Sequence, residues 1–185
     1  MVSTAQPEAA AGAWRLLDPE ALGATAALDR LAQALRARGG RLATAESCTG
    51  GLIAALCTAV AGSSDWFDRG FVTYSNEAKQ DLLGVPAALL QAHGAVSEPV
   101  ALAMAEGVLA RCPAEVALAV TGIAGPGGAV PGKPVGTVWL AWALRGQPAQ
   151  ARRLDLPGDR TAVRSATVQL ALQVLGALLE SAAAP

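Results

Sequence analysis

Three hydroxyls, a thiol and two glycines crowd into Thr44-Ala45-Glu46-Ser47-Cys48-Thr49-Gly50-Gly51. The residues up to Glu46 read as the end of a strand, and those from Thr49 onward as a helix. A hydroxyl at that junction stands at the positive end of a helix, beside amides with no intrahelical partner. Such amides can hold an oxyanion or a phosphate. Gly50 and Gly51 let a ligand approach the backbone with no Cβ in the way. Ser47 is therefore a nucleophile or a helix cap, and residue types alone leave both open. Thr44, Glu46, Cys48, Thr49, Gly50 and Gly51 are candidate substrate contacts around it. Cys48 reads first as a packing residue and second as a low-pKa thiol at a helix start.

A nucleophilic serine needs a base. The one histidine, His93, sits in Gln91-Ala92-His93-Gly94 and reads as a helix C-terminal residue. A lysine can serve if desolvation lowers its pKa from about 10 toward neutrality, and Ser–Lys pairs are a known variant of triad logic. Phe71-Val72-Thr73-Tyr74-Ser75-Asn76-Glu77-Ala78-Lys79 offers one. Tyr74, the sole tyrosine, falls at a strand end, and Lys79 about one turn into the next helix. Tyr74 can relay a proton or orient Lys79, and Asn76 is a further candidate contact. Taken alone, this segment favours a solvated Lys79 and a half-buried packing Tyr74.

Two more stretches can hold a ligand. Thr121-Gly122-Ile123-Ala124-Gly125-Pro126-Gly127-Gly128 is a strand end running into a glycine-rich loop. It lacks the Gly-Lys-Ser/Thr of a Walker loop and the spacing of the dinucleotide fingerprint. Thr121, Gly122 and Gly125 are its candidate contacts; a plain turn is the alternative. Arg160 and Arg164 follow Asp159 on one helical face, placed to grip a phosphate or, more simply, to pair with an acid.

The elements that must position these groups follow from periodicity and caps. Asp18-Pro19 opens a helix with Leu28, Leu31 and Leu35 on its stripe, ended by Gly39-Gly40. Strands are expected at 41–45, 71–75, 115–121, 135–144 and 151–156, the last two a hairpin. Helices are expected from Thr49, from Ser75 or Asn76, over 87–92, from Ser97 to about Ala110, and from Asp159 to the end. This order predicts an α/β sandwich with a mixed sheet. The 185 residues suit one domain over 17–181, with 1–16 a tail.

Composition narrows the class. Hydrophobic residues make up 52% and charged residues 16%, enough for a filled core. Net charge is −1 with no dense Lys/Arg block, which gives no reason to expect nucleic acid. Three cysteines, Cys48, Cys57 and Cys112, and one histidine predict neither a disulfide framework nor a metal cluster. The N-terminus lacks a basic start and apolar run, and Leu52 to Ala61 is too short to span a bilayer. A cytoplasmic chain that needs no membrane and no cofactor is expected.

Seven blocks in order carry a resemblance: Thr44–Gly51, Ala61–Ser64, Phe71–Lys79, His93–Pro99, Thr121–Pro126, Lys133–Val138 and Gly158–Arg160. Together they resemble the CinA C-terminal domain family over residues 26–180. Its stand-alone members are nicotinamide-nucleotide amidohydrolases. The resemblance implies a three-layer α/β/α sandwich, often dimeric, that hydrolyses nicotinamide mononucleotide to nicotinate mononucleotide and ammonia. It implies Ser47 as nucleophile with Lys79 and Tyr74, reversing the reading of Lys79 as a solvated residue. The one departure is Leu154-Asp155-Leu156-Pro157, where an aromatic is common in the family.

The expected chemistry is acyl transfer. Lys79 takes the Ser47 proton, with Tyr74 between them, and amides of Cys48 to Gly51 hold the tetrahedral oxygen. The 121–128 loop with Arg160 or Arg164 binds ribose and phosphate. The alternatives are a thiol amidase using Cys48 and a non-catalytic nucleotide-binding or competence-associated module.

Overall fold

The computed structural model describes residues 18–181; the expected N-terminal tail falls outside them. Five strands form one sheet in the order β2-β1-β3-β4-β5: β1 Leu42–Glu46, β2 Phe67–Val72, β3 Val116–Gly122, β4 Thr137–Leu144 and β5 Gln150–Asp155. β1 pairs in parallel with β2 and β3, whereas β4 pairs antiparallel with both β3 and β5. The sheet is mixed, as expected. The parallel register aligns Glu46 with Val72 and Val120. Ser47 and Thr73, just past their strands, and Thr121, near the end of β3, therefore lie side by side at the carboxyl edge of the sheet, where α/β proteins put their ligands.

Helices cover both faces. On one side α1 (Thr25–Ala37), α2 (Leu52–Ala59) and α6 (Arg160–Ser181) bury Leu28, Ile53 and Leu172 against Leu118, Val138 and Leu140. On the other, α3 (Asn76–Leu83), α4 (Ala87–His93) and α5 (Glu98–Arg111) lie on a floor of alanines: 43, 45, 117, 119, 141 and 143. Alternation along each strand sends the large residues to the first face and these small ones to the second. The alanine floor brings α5 close to the sheet, where it fills the layer with Val100, Met104 and Val108. α6 is long and apolar enough by length and composition to cross a bilayer. Its Val163, Val168, Leu172 and Leu175 are buried in the core instead.

Local chemistry sets the helix starts. Ser75 Oγ accepts from Ala78 N at 3.0 Å, capping α3. Asp159 Oδ1 accepts from Ala162 N at 2.9 Å and opens α6. Three boundaries differ from expectation. α2 begins at Leu52 rather than Thr49, because Gly50 and Gly51 have φ of 61° and 96°; the helix starts only past this left-handed pair. β2 starts at Phe67 and ends before Thr73, so Tyr74 lies beyond the strand. Residues 18–23 form a turn, and α1 begins after Gly23. In α5, Gly107 lets α3 dock: a Cβ there would fall 2.3 Å from Leu83 O.

Candidate active site

Lys79 is the decisive residue. It is 1% exposed, among the largest fully buried side chains of the fold. α3 carries it inward from the β2–α3 turn. Its Nζ donates to Ser47 Oγ at 3.0 Å, to Thr73 O at 2.8 Å and to Tyr74 O at 3.3 Å. No carboxylate meets it among the described residues. Burial drives its pKa down from 10.5 to about 8. The three contacts suit either protonation state. The ammonium donates three bonds; the neutral amine donates two to the carbonyls and accepts the serine proton on its lone pair.

Ser47 is held on an elbow between β1 and α2. Its N–H donates to Val120 O at 3.0 Å, and its carbonyl accepts from Gly50 N at 3.1 Å. Glu46 braces the elbow from beneath. Its Oε2 accepts from Thr49 Oγ1 at 2.7 Å, Gly51 N at 3.0 Å and Ile53 N at 3.1 Å, and its Oε1 from Ala54 N at 2.9 Å. This acid, 1% exposed, satisfies the orphan amides of α2.

A cavity of about 230 Å³ opens over this pair, lined by Ser47, Cys48, Tyr74, Lys79, Ala95, Val96, Thr121, Gly122, Ala124 and Arg160. No acidic side chain among the described residues lines it. Arg160 sits at the mouth, donating from Nη2 to Tyr74 Oη at 3.2 Å and from Nη1 to Gly125 O at 3.0 Å. Among the described residues no group of three or more His, Cys, Asp or Glu is placed to share a metal.

Several sequence-based assignments change here. Thr44 and Glu46, expected to meet substrate, are buried under the elbow; Thr44 Oγ1 donates to Glu46 Oε1 at 3.4 Å. Gly50 N and Gly51 N, expected among the oxyanion donors, are spent on Ser47 O and Glu46. Among the described residues, Cys48 N and Thr49 N alone of these elbow amides have no acceptor. Thr121 lines the cavity, but its hydroxyl donates to Ala95 O at 3.0 Å. Tyr74 is not interposed between Ser47 and Lys79: its ring is 62% exposed and its hydroxyl faces Arg160. Asn76 is exposed on the first turn of α3, outside the cavity. Gly125 meets Arg160 through its carbonyl, and Arg164 donates from Nη2 to Thr49 O at 2.8 Å without lining the cavity. Cys48 does line it, but burial pushes its thiol up to about 11, the opposite of an activated nucleophile. Sequence reasoning missed the walls Ala95, Val96 and Ala124, whose small apolar side chains carry no chemical signal.

Comparison with known proteins identifies the family and the fold. The model of the CinA C-terminal domain matches residues 24–179. The chain belongs to the CinA C-terminal domain family. Among relatives, the nicotinamide-nucleotide amidohydrolase PncC of Escherichia coli K12 is 52% identical over 123 residues, 66% of this chain and 74% of that protein. A CinA-like protein of Akkermansia muciniphila is 54% identical over 121 residues, 65% of this chain but 29% of its own length. The chain thus spans under a third of the longer CinA-like relatives it matches. The crystal structure of a CinA superfamily protein from Klebsiella pneumoniae superposes with a TM-score of 0.81 at 45% identity, covering 84% of this chain and 97% of that one. A competence/damage inducible protein from Agrobacterium tumefaciens gives 0.80 at 49% identity, covering 83% and 93%. The family's α/β fold is the one described above.

Proposed function

We propose that this chain is a serine amidohydrolase that converts nicotinamide mononucleotide to nicotinate mononucleotide and ammonia. The observation that carries the reading is the buried Lys79 amine, 3.0 Å from Ser47 Oγ, with a pKa lowered to about 8. The name of the Escherichia coli relative supports the substrate.

Neutral Lys79 takes the hydroxyl proton as Ser47 Oγ attacks the carboxamide carbon. The amides of Cys48 and Thr49 receive the tetrahedral oxygen, an effect worth ~3 kcal/mol per donor in related chemistry. The Lys79 ammonium then gives its proton to the departing NH2, which leaves as ammonia. Water, deprotonated by the same amine, attacks the acyl-enzyme; the C–O bond to Ser47 breaks and the hydroxyl regains its proton. No other base is required, because the two carbonyls hold the amine in place through both half-reactions.

The cavity's small apolar walls, Ala95, Val96 and Ala124, suit a flat heteroaromatic ring. Among the described residues that line it, Arg160 is the charged group that remains when Lys79 is neutral, so the cavity favours an anionic substrate, with Arg160 on the phosphate. The family resemblance adds a homodimer to this reading, and the composition a cytoplasmic location.

Purified protein incubated with nicotinamide mononucleotide, nicotinamide riboside and nicotinamide is expected to release ammonia fastest from the phosphorylated compound, with or without chelator. Ser47→Ala is expected to cut release by at least ~10⁴-fold and leave the fold unchanged. Normal turnover by that variant would refute the serine assignment. Tight nucleotide binding with no ammonia from the unaltered protein would instead favour a non-catalytic nucleotide-binding module.

A further inference from the structure

Arg164 has a guanidinium with an unusual placement. It lies on α6, one turn after Arg160, and points across the layer toward the β1–α2 elbow. Its Nη2 donates to Thr49 O at 2.8 Å. Its Nε is buried and unpartnered, and no acid pairs with it among the described residues. The residue as a whole is half-buried, but a buried guanidinium N–H with no acceptor carries a cost. Held there, it does one thing: it fixes the Thr49 carbonyl.

Fixing that carbonyl matters because of how peptide planes share orientation. The Thr49–Gly50 peptide is pinned at both ends, its N–H by Ser47 O and its O by Arg164 at 2.8 Å, with Leu52 N adding only a long bond of 3.4 Å. The same Gly50 bond anchors the Ser47–Cys48 peptide through its carbonyl, which aims the Cys48 N–H the other way. Glu46 grips Thr49 through its hydroxyl from the opposite side. The two amides left without acceptors, those of Cys48 and Thr49, thus belong to peptides whose neighbours are bolted down.

We propose that Arg164 is a positioning residue that, through the Thr49 carbonyl and against Glu46, holds the Cys48 and Thr49 amides on the developing oxyanion at Ser47. This rests on the Ser47–Lys79 reading of the site. It differs from a phosphate contact, because the guanidinium grips the backbone and stays out of the cavity. Preorganised donors cost no reorganisation in the transition state, whereas a loose elbow loses their contribution.

The test uses Arg164→Met and Arg164→Lys in the full chain, with circular dichroism and melting checked first. Arg164→Met is expected to lower kcat for ammonia release by about 10- to 100-fold with KM within about twofold. Arg164→Lys is expected to recover part of that loss, as is guanidinium ion added to Arg164→Met. A fluorophosphonate that phosphonylates Ser47 through a comparable oxyanion gives a second readout independent of the nucleotide. Its labelling rate is expected to fall in Arg164→Met by a similar factor, even if Arg164→Met melts too early for steady-state assays. If KM rises while kcat holds, the residue grips substrate and the proposal is overturned. Equal fluorophosphonate labelling of the unaltered chain and both variants overturns it too. Should the unaltered chain label faster than the variants yet release no ammonia, the nucleotide reading falls while the positioning role stands.

Discussion

Replacing Lys79 with methionine separates what the amine does for the fold from what it does for chemistry. Methionine keeps the length and apolar stem of lysine and removes the charge. The amine is held at about 8 in the folded chain against 10.5 ordinarily, chiefly by burial. Between those values the unfolded chain binds the proton and the folded chain does not, so stability rises with pH through that window. Below pH about 8 both forms are protonated, and the fold carries the full cost of a buried ammonium. That shift corresponds to about 3 kcal/mol at neutral pH. Lys79→Met removes this cost but leaves Thr73 O and the half-buried Tyr74 O without a donor, which returns about 2–3 kcal/mol. The variant is therefore expected to melt at or slightly above the parent at pH 7, and the parent is expected to close the gap as pH rises from about 8 to about 10. Activity moves the other way. At pH 7 about a tenth of the unaltered enzyme carries neutral Lys79, so kcat/KM is expected to rise nearly tenfold from pH 6 to 7 and to level above about 9. Lys79→Met is expected to be inactive at every pH. Ammonia release followed from pH 6 to 9.5, alongside thermal melts of both proteins, checks the whole set. A flat rate profile over that range, or a Lys79→Met protein several degrees less stable at pH 7, would refute the buried-base account.

Further outcomes concern neighbouring groups. Cys48→Ala is expected to keep at least about half of kcat, because a thiol near 11 is about one part in ten thousand thiolate at pH 7; loss of activity together with rapid iodoacetamide labelling of the parent would restore the thiol mechanism. Gly107→Ala places a methyl 2.3 Å from Leu83 O, and overpacking of ~1–3 kcal/mol outweighs the ~1 kcal/mol gained in helix propensity. Its melting temperature is expected to fall by several degrees, with kcat falling as well because α3 carries Lys79; an unchanged melt would show that α3 is not seated as described.

Capping chemistry was the most legible part of the fold. Asp159, and Ser75 of the pair Ser75 or Asn76, stand out as capping residue types before a helical stripe, and each accepts a helix-start amide, whereas Ser97 turns its hydroxyl to Gly94 O instead. β2 was less legible, because Phe67-Asp68-Arg69-Gly70 has neither alternation nor β-branched residues. It is extended because β1 pairs with it, and pairing between distant segments leaves no mark in a short window. The Glu46 assignment failed for a different reason. Its carboxylate next to Ser47 suggested contact with ligand, yet it turns under the elbow to meet four donors within five residues of the α2 start. An acid shortly ahead of a Gly-Gly helix entry was the available signal. Lys79 could not be assigned from its own segment, where it looks like a solvated residue; its depth comes from α3 resting on α5 and the sheet.

The alanine floor beneath α5 has a consequence for how sequence can drift. On the leucine-rich side, a side chain that grows or shrinks by a carbon has rotamers available to share the change. Alanine has none, so on the other side spacing is fixed by backbone meeting backbone. Each added methylene there would push α5 outward, drag α3 with it, and withdraw the amine from its serine. Substitutions far from any reacting atom would then register as lost turnover before they registered as lost folding, and the two faces of one sheet would tolerate change unequally.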